Sequence, residues 1–209
     1  MLYIFDWDGT LMNSVGRIVS CLRSAADELS LDILPDNQYQ NIIGLGLPEA
    51  VATLYPRIDV ALQTKMRDTY SRHFKAADTR PSDFFPGVIE TLKVLRDDGH
   101  KLAVATGKSR AGLNRVLSKL DWLDYFDATR CADETASKPN PLMLHEILSE
   151  LNCSVEDAVM VGDTEFDLAM AQNAGMKKIA VSFGAHSQER LLALSPDAML
   201  HNFAELQHF

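Results

Sequence analysis

Four short stretches of this chain carry side chains suited to handling a phosphoryl group. Asp6-Trp7-Asp8-Gly9-Thr10 offers two carboxylates two residues apart, so that one can attack as a nucleophile while the other moves a proton. Gly162-Asp163-Thr164-Glu165-Phe166-Asp167 offers a second pair, Asp163 and Asp167, whose spacing lets both face one site at the start of a helix. Thr106 and the Gly107 backbone N–H are donors for phosphate oxygens. Lys138 adds a positive charge just before a helix with Pro139 or Pro141 in its first turn. Asp6, Asp8 and Asp163 are hard oxygen ligands that suit Mg²⁺ and not a soft metal, and crowded carboxylates need such a cation to offset their repulsion. A nucleophile, an acid/base, a divalent cation and local cationic donors are the components of phosphoryl transfer.

These residues act together only if the fold brings them to one place. Leu2–Phe5, Lys101–Ala105, Ala158–Val161 and Lys178–Ser182 are short apolar runs that read as strands. Val88–Arg96, Ser109–Leu120, Pro139–Leu151 and Glu165–Asn173 read as helices, with Gly99 and Gly175 closing two of them. Strands alternating with helices predict a Rossmann-like parallel α/β sheet, and ligands of such sheets bind at the carboxyl ends of the strands. The Asp6, Thr106 and Asp163 clusters each follow a predicted strand, so all three land on that edge.

From Ser14 onward the character changes. Ile18, Cys21, Leu22, Ala25, Ala26 and Leu29 recur at helical spacing, Pro35, Pro48 and Pro56 punctuate further pieces, and a longer helix is predicted over Val60–Lys75. The polar, proline-containing stretch Arg80–Pro86 reads as a linker. The expected organisation is an α/β core of residues 1–13 and 83–209 with an α-helical block, 14–82, inserted after the first strand.

The chain has 209 residues, 46% hydrophobic and 23% charged, ordinary values for a globular protein and ample for a core. Its formal net charge of −9 repels phosphate backbones, which argues against nucleic acid as a main partner and leaves room for a small phosphorylated metabolite. Cys21, Cys131 and Cys153 lie far apart without metal-ligand spacing, as expected of thiols in a reducing cytoplasm. Two aspartates within the first eight residues do not suit a signal peptide, and no apolar run suits a membrane span.

Asp6-Trp7-Asp8-Gly9-Thr10-Leu11, Thr106, Lys138 and Gly162-Asp163-x-x-x-Asp167 resemble, in order and spacing, the four motifs of the haloacid dehalogenase-like hydrolase superfamily. The inserted helices resemble the small α-helical cap of its phosphoglycolate phosphatase-like and β-phosphoglucomutase-like branch. The resemblance implies that Asp6 is a nucleophile forming an aspartyl-phosphate, and that Asp8 protonates the leaving oxygen and then activates water. It implies that Thr106, Gly107 and Lys138 hold the phosphoryl group. Mg²⁺ would sit on the Asp6 side chain, the Asp8 backbone carbonyl and Asp163, with Asp167 in or next to that ligand shell. Dehalogenase members lack the second motif aspartate, so Asp8 favours phosphoester chemistry. Asn13 departs from the aspartate that relatives often carry there, at the hinge of the cap. The segment Ile42-Ile43-Gly44-Leu45-Gly46-Leu47-Pro48 is similar to a cap loop that lies over the site, and it has no charged group to name a substrate.

Other readings of the same residues are weaker. Gly107-Lys108-Ser109 mimics the end of a P-loop, but position 102 is Leu where that motif needs Gly. Lys108 and Arg110 read as a solvated helix start, and the six histidines show no ligand spacing. A phosphorylation-switched signalling module also uses acidic residues, Thr and Lys around Mg²⁺, but such modules usually lack a helical insertion. A sugar-phosphate mutase of the same family starts with the same chemistry, and the sequence alone separates it poorly from a phosphatase. No oligomeric interface can be read from the sequence.

Overall fold

A computed structural model describes residues 1–77 and 83–209. Strand β1 (Leu2–Phe5) is followed by helices α1 (Val15–Glu28), α2 (Asp36–Gln40), α3 (Leu47–Leu54) and α4 (Val60–Ala77). The chain then alternates through α5 (Val88–Asp97), β2 (Lys101–Thr106), α6 (Arg110–Leu120), β3 (Ala128–Cys131), α7 (Leu142–Glu150), β4 (Ala158–Gly162), α8 (Glu165–Asn173), β5 (Lys177–Val181), α9 (Gln188–Leu192) and β6 (Ala198–Leu200). The six strands form one parallel sheet in the order β3-β2-β1-β4-β5-β6.

A parallel sheet is covered on both faces, and its two central strands, β1 and β4, are buried along their whole length. β1 shows the consequence. Tyr3 and Phe5 point to one face, where they join Leu92 of α5, Leu113 and Leu117 of α6, and Phe203. Leu2 and Ile4 point to the other, among Met143 and Ile147 of α7 and Met170 of α8. Burying one such side chain stabilises the fold by about 1.5–3 kcal/mol. The expected strands appear within a residue of their predicted ends. β3 and β6 are not among them. Each is three or four residues long and borders the sheet, and Thr129, Arg130 and Met199 are half-buried, which leaves too little apolar pattern to read.

Helices α1–α4 have an apolar core of their own. α1 turns Ile18, Cys21, Leu22, Ala25 and Ala26 inward, the stripe its spacing demands, towards Val51 of α3 and Met66 and Phe74 of α4. The two passages between these helices and the sheet run side by side. The Asn13 N–H donates to the Asp83 carbonyl at 2.9 Å, and the Phe85 N–H donates to Leu11 at 3.0 Å. The expected junction at residue 82 and the first part of the predicted linker, 80–82, lie outside the described residues.

Candidate active site

β1 is where the strand order reverses: the chain runs outward to β2 and β3, then returns to its other side at β4. Neighbouring loops diverge at such a point and leave a crevice at the carboxyl ends of the strands. Phe5 pairs with Val104 and Val161, so Asp6 leaves the sheet level with Gly162, and Thr106 closes β2 beside it. The Asp6 N–H still completes the ladder to Val161 at 3.0 Å.

Asp6, Asp163 and Asp167 are fully buried there, with one oxygen from each lying within 4.8 Å of the others. The ammonium of Lys138, also buried, donates to Asp6 Oδ1 and to Asp167 Oδ1, both at 2.6 Å. Asp167 Oδ2 accepts from the Thr164 N–H at 3.0 Å and from the Thr164 hydroxyl at 2.7 Å, the capping box that starts α8. Asp163 accepts from the Thr10 hydroxyl and from the Ala185 N–H, each at 2.7 Å. The loop after β1 must pass close to get there. Gly9 has φ +89°, and a Cβ at that position would lie 2.2 Å from Asp163 Oδ2.

One oxygen is left over. Asp6 Oδ2 is buried without a hydrogen-bond partner. Burial pushes the Asp6 carboxyl up to about 7, with Lys138 opposing and Asp167 and Asp8 adding to the rise. Burial also raises Asp163, reinforced by Asp6 and Asp167. Burial lowers Lys138, but Asp167 and Asp6 outweigh it and hold the ammonium charged. Ionising all three carboxylates against one lysine would leave two negative charges, which a divalent cation would neutralise. An unpartnered carboxylate oxygen in an all-oxygen donor set fits a hard ion such as Mg²⁺.

Asp8 faces differently. Its carboxylate accepts from the Ser14 hydroxyl at 2.6 Å and from Lys108 Nζ at 2.7 and 3.0 Å, and its side chain is not one of the three clustered carboxylates. Asp6, Asp8, Thr106 and Gly107 line a common cavity.

The expected residues of all four motifs therefore converge, with three corrections. Lys108 is not a solvated helix start. It is half-buried, paired with Asp8, and its ammonium lies 4.8 Å from the centre of the Phe74 ring. Its position two residues past Thr106, at the same strand end, was the available signal. Arg110 is engaged as well, with Glu134 and Thr129 on the β3 side. Lys138 does not act from a helix N-terminus: α7 starts at Leu142, and the lysine works through its two ion pairs. Thr10, Ser14 and Thr164, none of them singled out in the sequence, hold the carboxylates. Thr164 had a readable signal, since Thr164-x-x-Asp167 is a capping-box pattern. His186 is buried, with Nδ1 accepting from the Glu165 N–H at 3.1 Å and Nε2 without a hydrogen-bond partner.

A sheet of this order, with paired aspartates after its first strand and helices inserted behind them, defines a hydrolase of the haloacid dehalogenase type. Comparison agrees, since residues 3–181 match the haloacid dehalogenase-like hydrolase family. The chain belongs to that family, in its phosphoglycolate phosphatase-like branch, and is a phosphatase. It is 35% identical to the probable phosphatase IndB of Dickeya dadantii, over 98% of this chain and 91% of the relative. It is 30% identical to a phosphoglycolate phosphatase of Agrobacterium fabrum, over 98% and 90%. The crystal structure of a haloacid dehalogenase-like hydrolase from Bacteroides fragilis superposes with a TM-score of 0.89 at 26% identity, covering 98% of both chains.

Proposed function

We propose that this protein is a Mg²⁺-dependent phosphatase that hydrolyses a small phosphorylated metabolite through an aspartyl-phosphate on Asp6. The observation that carries the reading is the Asp6 carboxylate itself: Oδ1 is fixed by Lys138 while Oδ2 is buried and unpartnered. In this reading an Asp6 oxygen attacks phosphorus and the alcohol leaves with a proton from Asp8. Asp8 then takes a proton from the water that cleaves the aspartyl-phosphate. Thr106 and the Gly107 N–H receive phosphoryl oxygens, and Lys138 orients the nucleophile and offsets charge. Asp6, the Asp8 carbonyl and Asp163 would hold Mg²⁺, with Asp167 behind them. When bound, the ion would offset the charge of the phosphoryl oxygens and bring two anions together.

Residues 14–82 are the cap, and the paired crossings at Asn13 and Asp83 support that division. A reducing cytoplasmic setting suits three cysteines that form no disulfide. None of the described helices is long and apolar enough to cross a membrane. The test is phosphate release from a panel of phosphomonoesters with and without Mg²⁺. Release that requires the ion is expected. Interconversion of sugar-phosphate isomers without release would assign a mutase instead, and a stable phosphoprotein without turnover would assign a signalling module.

A further inference from the structure

The cavity over the acidic edge has a volume of about 190 Å³. Its floor is Asp6, Asp8, Thr106, Gly107 and Lys108. The facing wall comes from the inserted helices and their loop, and Ile18, Leu22, Ile43, Leu45, Tyr70 and Phe74 make most of it. Among the described residues, the polar side chains that this wall adds are the Tyr70 hydroxyl, Ser71 and the exposed Lys75, with no acidic group.

We infer that the site selects phosphomonoesters whose alcohol is a flat, apolar body about one ring in size, in preference to sugar phosphates and phosphates of short hydroxy acids. The inference rests on the phosphatase reading above and adds the substrate class.

Three observations support it. First, a sugar alcohol would bury several hydroxyls against a wall with few partners for them, and each unmet hydroxyl weakens binding. Second, the Tyr70 and Phe74 rings stand with centroids 5.7 Å apart at 42°, presenting aromatic surface to the cavity. A planar group gains from such surface in offset or edge-on contact. Third, the lysine on the cavity floor is already engaged. Lys108 pairs with Asp8 at 2.7 Å and lies over Phe74, so the carboxylate of a short hydroxy acid would have to draw it from Asp8. Lys75 and Arg115 line the cavity from α4 and α6, where they raise the potential for a dianionic substrate as a whole.

The test compares kcat/KM for 2-phenylethyl phosphate, 2-phosphoglycolate and glucose 6-phosphate in the presence of Mg²⁺. Acetyl phosphate, whose leaving group asks little of the wall, reports the phosphoryl chemistry separately. 2-Phenylethyl phosphate is expected to exceed the other two esters by about tenfold or more. Tyr70→Ala should cut that ratio by about tenfold, and Leu45→Lys should shift it towards phosphoglycolate. Equal or better turnover of phosphoglycolate or glucose 6-phosphate, with acetyl phosphate hydrolysed, would overturn the inference and leave the phosphatase reading standing. So would a ratio that neither variant changes. Failure with all four substrates would overturn the phosphatase reading and the inference with it.

Discussion

At the sheet edge, both oxygens of Asp163 and of Asp167 are hydrogen-bonded, and Lys138 ties Asp6 to Asp167. Across the cavity, the helical wall meets the same space with aliphatic and aromatic side chains. The first region holds charged groups in fixed geometry, which stabilises developing charge without reorganisation. The second offers mainly shape and apolar surface, with the Tyr70 hydroxyl, Ser71 and Lys75 as its polar groups, and so ranks substrates more than it assists bond breaking. Changes at the edge should therefore alter turnover by orders of magnitude, and changes in the wall should alter the ratio between substrates.

The largest effect is expected at Asp6. Asp6→Asn should lower kcat by at least about a thousandfold while leaving the far-UV circular dichroism unchanged, because only one atom differs. Near-normal turnover by this variant would move the nucleophile elsewhere. Chelation should likewise stop turnover, and Mg²⁺ should restore it.

Asp8→Asn should cost about a hundred- to ten-thousandfold with alkyl phosphates, whose alkoxides need a proton in order to leave. With nitrophenyl phosphate the first step should suffer less, because nitrophenolate leaves unaided. Equal slowing of both substrates in single-turnover kinetics would remove Asp8 from the acid role.

The excess negative charge at the edge makes a prediction about stability. Without metal, the folded chain holds the Asp6 proton up to about pH 7, whereas the unfolded chain releases it near the ordinary value of 3.8. Between these values the folded state binds more protons, so its stability falls as pH rises. The thermal midpoint of metal-free protein should drop by a few degrees, at least about 2 °C, from pH 5 to pH 8. Mg²⁺ should reverse much of the loss at pH 8. A flat profile, or no response to Mg²⁺, would contradict the charge count at the edge.

Smaller effects mark the boundary between the regions. Gly9→Ala forces a left-handed conformation and crowds Asp163, which should destabilise by about 1–3 kcal/mol in urea unfolding. Arg190 joins Glu165 of α8 to Asn41 at the end of α2. These partners are partly exposed, so Arg190→Ala should cost no more than about 1 kcal/mol.

The amount of this that could be read beforehand differed between the two regions for a physical reason. Asp6, Thr106 and Asp163 follow strands whose apolar runs are unmistakable, and the strand ends place them without any knowledge of packing. Lys108 looked solvated because a lysine at a helix start usually is. Only the approach of Phe74, from a helix more than thirty residues earlier, gives it a buried setting. The wall was legible only in part, through the resemblance of residues 42–48, which contribute Ile43 and Leu45, to a cap loop over the site. Ile18 and Tyr70 lie on α1 and α4, and helical periodicity says which residues of a helix face inward but not which of them line a cavity. Local pattern reports the edge, whereas tertiary approach creates the wall.

The most direct test of the proposed chemistry is to trap the intermediate. Asp8→Asn protein mixed with nitrophenyl phosphate and Mg²⁺ should accumulate phosphoprotein, because hydrolysis of the aspartyl-phosphate lacks its base. Rapid quench in acid followed by peptide mass spectrometry should place a hydroxylamine-sensitive phosphoryl group on Asp6. A phosphoryl group on any other residue, or none during a measurable burst of nitrophenolate, would contradict the account.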